Sequence, residues 1–524
     1  MSPAVDPDAE RRVTAATWAG FAAMCTGMFM AILDIQVVAT SLPTIQRTLA
    51  IPADQMSWVQ TAYLIAEVVA IPLTGLLTRA LSMCWLFVLA TGVFTVASLG
   101  CAASGSFAAL VAWRVLQGFS GGTLIPAVFA AVFLLFPARW QNIATMLAGV
   151  LAVLAPTVGP IVGGWITETY SWHWLFLINI LPGIAAAIVA GLLLPKAPIR
   201  LVEARTLDIL SLALMATALA AVEVALKEAP ERGWATGLVI GLLMLSGASL
   251  VGFISRTRKV CHPVVNLGSF AQRSFTIGCM LSFVLGIGLF GSVYLVPVFL
   301  AYVRHHNALE IGTTMLVTGT AQLLMAPVAV ALESRHGARL LTAAGFGLFA
   351  IGLGLSAWQT PQTDFAGMFW PQVIRGLAVM FCLLPPTRLA LGNLNKELVA
   401  DASGLFNLMR NLGGAIGIAL IDTVIYSRSP VHGAEITRRL LAGDAEMARW
   451  IGLPFEALAA RADMALDAAA QMQMGQLIAA AALTQAINEA WGMIAALTIV
   501  ALICVPFATR SPERRFQPVG SDGG

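Results

Sequence analysis

The chain contains fourteen apolar stretches, each near or above the ~20 residues an α-helix needs to cross ~30 Å of hydrocarbon. They fall at 15–40, 56–78, 84–103, 106–135, 142–166, 173–194, 208–226, 234–255, 275–300, 309–333, 340–358, 365–391, 402–425 and 489–508. In lipid the backbone has no water to bond, and helices of this length satisfy their own N–H and C=O groups. The expectation is an all-α polytopic membrane protein with fourteen transmembrane helices grouped six, two and six. Composition agrees, because 58% hydrophobic and 11% charged residues, with a mean hydropathy of +0.83, do not describe a water-soluble globule of 524 residues. The first stretch follows Arg11 and Arg12 and is too long for a signal h-region, so it reads as a spanning helix.

Several classes of function drop out on the same residues. A net charge of +3 gives no nucleic-acid surface. The seven cysteines form no CxxC pair and the six histidines lie at segment ends or in loops, so neither a disulfide framework nor a metal site is expected. No GxxxxGK[ST] loop and no Ser, His or Cys constellation is present, which argues against nucleotide hydrolysis and against an enzyme. An ion gradient remains as the energy source, and no cofactor is expected.

Lysine and arginine set the orientation. With the N-terminus inside, cytoplasmic segments carry eighteen of them, while short outer loops hold only Arg47, Lys227, Arg232 and Arg304. The expected layout is a cytoplasmic N-terminus at 1–14 and a six-helix bundle at 15–194. Two inserted helices with their linkers follow at 195–274, a second bundle at 275–508 with an outer loop at 427–485, and a cytoplasmic tail at 509–524. A weak internal repeat relates the bundles: Pro43 and Pro297 are 254 residues apart, Pro72 and Pro327 are 255, Pro160 and Gly414 are 254, and Arg114 and Arg375 are 261. Halves related in this way belong to transporters that rock about a midplane site.

Within the fifth stretch, Gly149 to Trp165 holds Pro156, Gly159, Pro160, Gly163 and Gly164. Small residues about one turn apart bare a face for close helix approach, and the prolines weaken the hydrogen-bond ladder, so this helix is expected to kink and slide.

Ala155-Pro156-Thr157-Val158-Gly159-Pro160-Ile161-Val162-Gly163-Gly164 resembles the antiporter motif of drug:proton antiporters of the major facilitator superfamily. Leu33-Asp34-Ile35-Gln36, Trp113-Arg114-Val115-Leu116-Gln117-Gly118 and Ser171 to Asn179 are similar to further motifs of the 14-helix branch. Ile374-Arg375-Gly376 and Ala402-Ser403-Gly404-Leu405-Phe406-Asn407 followed by Arg410 resemble its EmrB-type members. The resemblance covers roughly 20 to 425. It implies proton-coupled export of lipophilic drugs across a bacterial inner membrane, with both termini cytoplasmic. As partners it implies a periplasmic adaptor and an outer-membrane channel, for which the outer segment around Ile436 to Ile451 offers a docking surface. In the loop after the second helix only Gly75 and Arg79 of the family pattern remain, which puts its inward-closing lock in question.

The chemistry is expected at ionisable residues inside spans, because a charge at membrane depth is expensive unless paired or hydrated. The candidates are Asp34, Glu67, Arg114, Glu223, Arg375, Arg410 and Asp422. Asp34 and Arg114 both fall in the outer half and are expected to meet as the proton-coupling pair, with Glu67 as a second carboxylate. Arg375 and Arg410 are expected to serve substrate or a charge network. Glu223 and Asp422 lie nearer the surface and read as hydrated. Walls rich in Met, Phe and Leu suit flat lipophilic ligands. A dedicated exporter of one metabolite, or a sensor or lipid scramblase on the same fold, are the alternatives.

Overall fold

A computed structural model describes residues 13–507 apart from 52–54, 57, 200–207, 261–262, 393 and 454–467. The tail at 509–524, and all but the last two residues of the 1–14 segment, lie outside the described residues.

Among the described residues fourteen helices are long and apolar enough to cross a membrane. We number them α1 (Ala15–Thr48), α2 (Trp58–Leu81), α3 (Met83–Ala102), α4 (Phe107–Leu135), α5 (Ala138–Thr169), α6 (Trp174–Leu193), α7 (Ile209–Arg232) and α8 (Gly237–Thr257). The series continues with α9 (Arg273–Tyr302), α10 (Ala308–His336), α11 (Ala338–Leu355), α12 (Phe365–Leu391), α13 (Lys396–Leu441) and α14 (Ala468–Cys504). Polar side chains close several of the helix starts, where backbone N–H groups lack partners. Ser106 accepts from the N–H of Ala109 at 3.3 Å, and Asn307 with Glu310 forms a reciprocal capping box on α10. Within α2 the chain tightens into a 3-10 turn at Ile71–Leu73, where Pro72 supplies no N–H to the ladder.

The packing repeats. In the first six helices α1 meets α5 and α6, α4 meets α2 and α3, and α3 meets α6. The last six repeat the same pairs eight helices on: α9 with α13 and α14, α12 with α10 and α11, and α11 with α14. The halves join along two seams, α5 on α10 and α13 on α2 and α4. Helices α7 and α8 pair with each other, and α7 lies over the second seam against α2 and α13.

Helices α1 and α7 run eight and six residues past their expected ends, to Thr48 and Arg232, and the last two spans differ more. The thirteenth runs from 396 to 441 rather than 402 to 425, and the fourteenth begins at 468 rather than 489. Much of the expected outer loop is therefore helical. The cause is a charge ladder that continues the helix pair beyond its apolar part: Arg428 Nε donates to Glu489 at 2.7 Å, and His432 Nε2 lies 2.9 Å from the same carboxylate. Further out Ile436 is buried against Met447 and Ile451 of a short helix, Ala445–Ile451, and against Ala481 and Ala482. The apolar face expected at 436–451 for docking is thus partly spent within the chain itself.

Candidate functional site

A buried polar cluster occupies the first half. Asp34 on α1 and Arg114 on α4 are 2% and 0% exposed, and Arg114 Nη1 donates to Asp34 Oδ2 at 2.5 Å. The same nitrogen donates to Gln117 Oε1 at 2.7 Å, and Arg114 Nε donates to the carbonyl of Val59 at 3.1 Å. Gln117, one turn beyond Arg114, donates to Asp34 Oδ1 at 3.0 Å and to Ser98 Oγ at 2.8 Å. Asn179 donates to Asp34 Oδ1 at 2.8 Å. Tyr63 lays its ring 4.3 Å from the guanidinium carbon and ties its hydroxyl to the carbonyl of Ala31 at 3.2 Å. Both carboxylate oxygens thus hold charge-assisted or amide hydrogen bonds, the condition under which a buried ion pair is tolerated.

The expected meeting of Asp34 and Arg114 is observed. Gln117 and Asn179 were not among the expected site residues, although each is a lone amide in an apolar stretch. Glu67 on α2 is buried but makes no hydrogen bond or ion pair among the described residues. Asp422 accepts from Tyr294 Oη at 2.6 Å.

In the second half two buried arginines, Arg375 and Arg410, meet no acid among the described residues. Arg375 on α12 is 3% exposed and rests its guanidinium carbon 4.7 Å from the ring of Trp491. Its Nε and Nη1 are buried without a partner. Arg410 on α13 is buried between Phe406 and Phe129, with Nε and Nη2 likewise unpartnered. No hydrogen bond or ion pair joins the two, so they do not form one network among the described residues. Arg375 lines a small cavity with Gln372, Gln322 and Thr318 of its own half, closed on the other side by Pro156 and Thr157 of α5.

Helix α5 reaches both halves. A Cβ on Gly159 would strike the side chain of Gln36, two residues after Asp34, which is why that position is bare. Towards α10 the small residues belong to the partner instead: Gly312 receives Ile161, and Gly319 receives Thr157. Gly159 of the Gly149 to Trp165 stretch therefore fits α1, while Gly149 faces Leu383 and Leu384 of α12 and the seam takes further glycines, Gly312 and Gly319, from α10. At the end where α2 turns into α3, Arg79 forms an ion pair with Asp401 on α13, and Gly75 leaves the space that Asp401 fills. Beside it Ser403 Oγ donates to the carbonyl of Pro126 at 2.8 Å. The reduced loop thus keeps the two residues that touch the other half.

These arrangements match known proteins. The model of the Major Facilitator Superfamily covers residues 24–418. The chain is 39% identical over 438 residues to the colistin resistance protein EmrB of Acinetobacter baumannii, covering 83% of this chain and 85% of that one. It is 30% identical over 417 residues to the multidrug export protein EmrB of Escherichia coli, covering 79% and 81%. Among solved structures, the human organic anion transporter MFSD10 superposes with a TM-score of 0.58 over 93% of this chain and 99% of that one, and at 13% identity this likeness shows the fold alone. The chain belongs to the Major Facilitator Superfamily, among its EmrB-type multidrug transporters.

Proposed function

We propose that this protein is a proton-coupled antiporter that exports lipophilic compounds across the bacterial inner membrane by alternating access, with both termini cytoplasmic. The observation that carries the coupling is the Asp34–Arg114 pair, because it is a carboxylate whose charge is balanced entirely inside the membrane domain. Drawing a guanidinium away from a buried carboxylate favours protonation, and restoring it favours release. Gln117 and Asn179 hold the carboxylate in place while Arg114 moves. The route to the other half runs along α1 from Asp34 to Gln36, across to Gly159 on α5, and through Thr157 and Ile161 to α10. The pair Arg79–Asp401 and the Ser403 contact fasten the opposite seam, which we assign to the cytoplasmic end, so this conformation is closed inward. Protons and substrate then bind in alternation, and a ligand shifts the equilibrium only by its differential affinity for the two states.

Asp34→Asn is expected to keep binding neutral compounds and to lose pH-dependent efflux in proteoliposomes, and Arg114→Lys is expected to fail because an ammonium cannot reproduce the planar fork. Undiminished proton-coupled transport in both Asp34→Asn and the double variant with Glu67→Gln would remove the mechanism. The orientation is tested by Ala442→Cys, at the exposed end of α13, which should react with an impermeant thiol reagent in intact cells. We further propose that the extended ends of α13 and α14 meet a periplasmic adaptor that leads to an outer-membrane channel. Full resistance in a strain lacking every adaptor would discard that partner.

A further inference from the structure

Gln117 bonds to both members of the buried ion pair. Its Oε1 accepts from Arg114 Nη1 at 2.7 Å, and its Nε2 donates to Asp34 Oδ1 at 3.0 Å. An amide turned end for end would set N–H against N–H at the guanidinium and oxygen against oxygen at the carboxylate, so the way it faces decides whether the pair is bridged. Two residues of α3 fix that sense. Ser98 Oγ donates its only proton to the carbonyl of Phe94 at 2.8 Å, so towards Gln117 it can only accept, and it takes an N–H of Nε2 at 2.8 Å. The Cys101 thiol, about one turn on, donates to Oε1 at 3.6 Å. Ser98, Cys101 and Gln117 are fully buried, where a wrongly turned amide would find no water to satisfy it.

The same bonds distinguish the two oxygens of Asp34. Oδ1 accepts two amide N–H groups, from Gln117 and from Asn179 at 2.8 Å, whereas Oδ2 accepts from Arg114 Nη1. A protonated carboxyl keeps one oxygen as a carbonyl acceptor and turns the other into an O–H, and two N–H donors favour the carbonyl at Oδ1. We propose that Asp34 takes its proton on Oδ2, and that Ser98 is the positioning residue that makes it so, by holding the Gln117 amide in the sense that keeps Oδ1 occupied. A proton from the outer aqueous side bonds to Oδ2 as the hydrogen bond from Nη1 breaks there. Arg114 keeps its own proton and its charge. It retains Gln117 Oε1 through Nη1, the Val59 carbonyl through Nε and the ring of Tyr63, so it turns aside without losing every partner. The other ionisable side chains near the cluster are Tyr63 on α2, Glu67 one turn along the same helix, and Cys101, while α6 carries none between Trp174 and Leu193. This assignment rests on the proton-coupling reading and names the atom and the supporting residue for it.

The test reads the carboxyl C=O band of protonated Asp34 by infrared difference spectroscopy, between alkaline and acidic buffer, on the full chain in lipid nanodiscs. The band is identified by its loss in Asp34→Asn. Each N–H on a carbonyl oxygen lowers its stretching frequency, so the wild type should show the low band of a doubly bonded carbonyl. Ser98→Ala frees the Gln117 amide to turn and should shift the band to higher wavenumber, that of a carbonyl with one donor. Ser98→Thr, which keeps the hydroxyl, should restore the wild-type position. Thr95→Val removes a buried hydroxyl about one turn earlier, bonded to the carbonyl of Thr91, and should leave the band in place. A wild-type band at the position of an unbonded acid overturns the assignment of Oδ2. A band unmoved by Ser98→Ala, or moved equally by Thr95→Val, overturns the role of Ser98. If Ser98→Ala does not fold, Ser98→Cys, whose sulfur is a weak acceptor, must shift the band in the same direction or the role is lost. In all these outcomes a band that depends on Asp34 leaves the proton-coupling reading standing; its absence from the wild type removes that reading and this assignment with it.

Discussion

The two halves share a scaffold and differ in how they treat a buried arginine. Five helix pairings recur eight helices apart, and Arg114 and Arg375 sit on corresponding helices. The offset of 254 that relates Pro43 to Pro297 sets Gly288 against Asp34, and the residue one turn beyond Arg375, where Gln117 would be expected, is Ala378. A Cβ on Gly288 would meet the ring of Phe349, so an aromatic side chain fills the place of the missing acid. In the first half the charge is neutralised internally; in the second Arg375 meets no acid among the described residues. The two halves thus repeat the packing and differ in their buried chemistry.

The largest expected effect separates the two arginines directly. Arg114→Gln strands a buried carboxylate and should lower unfolding stability by ~3–5 kcal/mol, whereas Arg375→Gln, which strands no acid, should change it by under ~1 kcal/mol. Thermal unfolding of the purified proteins measures both, and equal losses would break the comparison. Next in size is the seam. Arg79 is partly exposed and Asp401 buried, so Asp401→Asn should cost the closed state ~1–2 kcal/mol, roughly tenfold in population. Spin labels on Leu77 and Glu397 would report the opening as a longer distance, and an unchanged distribution would show that the pair does not hold the seam. The smallest effect lies at two matching turns. Ser82, between α2 and α3, has φ 73°, and Gly337, 255 residues later between α10 and α11, has φ 78°. This is backbone that glycine adopts freely and serine does not, so Ser82→Gly should raise stability by ~1 kcal/mol and Gly337→Ser lower it by a similar amount.

Much of this was legible in the chain. The first twelve spans follow from apolar length alone, because hydrocarbon thickness imposes the same limit on every one of them. Asp34 and Arg114 were legible as a pair because two opposite charges at one depth have few other places to go. Gln117 and Asn179 stand inside the quoted motifs but were not picked as site residues, because a neutral amide shows no cost of burial until its neighbours are known, and these come from α1, α3 and α4 at once. The last two spans were cut short for the opposite reason. Charges such as Arg428 and Glu489 mark where a helix leaves lipid, and the expectation equated that with where the helix stops. A helix pair that bridges its own charges continues into water, and Ile436, buried among Met447, Ile451 and Ala481, shows how far.

That continuation makes α13 a lever. Sixteen residues beyond the expected membrane edge at 425 add ~24 Å, which puts the tip ~39 Å from the bilayer midplane. Each degree by which the second half rocks then displaces the tip by ~0.7 Å, about the same helix that lower down bears Arg410 and Asp401. A rotation of a few degrees, hardly visible near Arg410, becomes a displacement of ångströms at the far end.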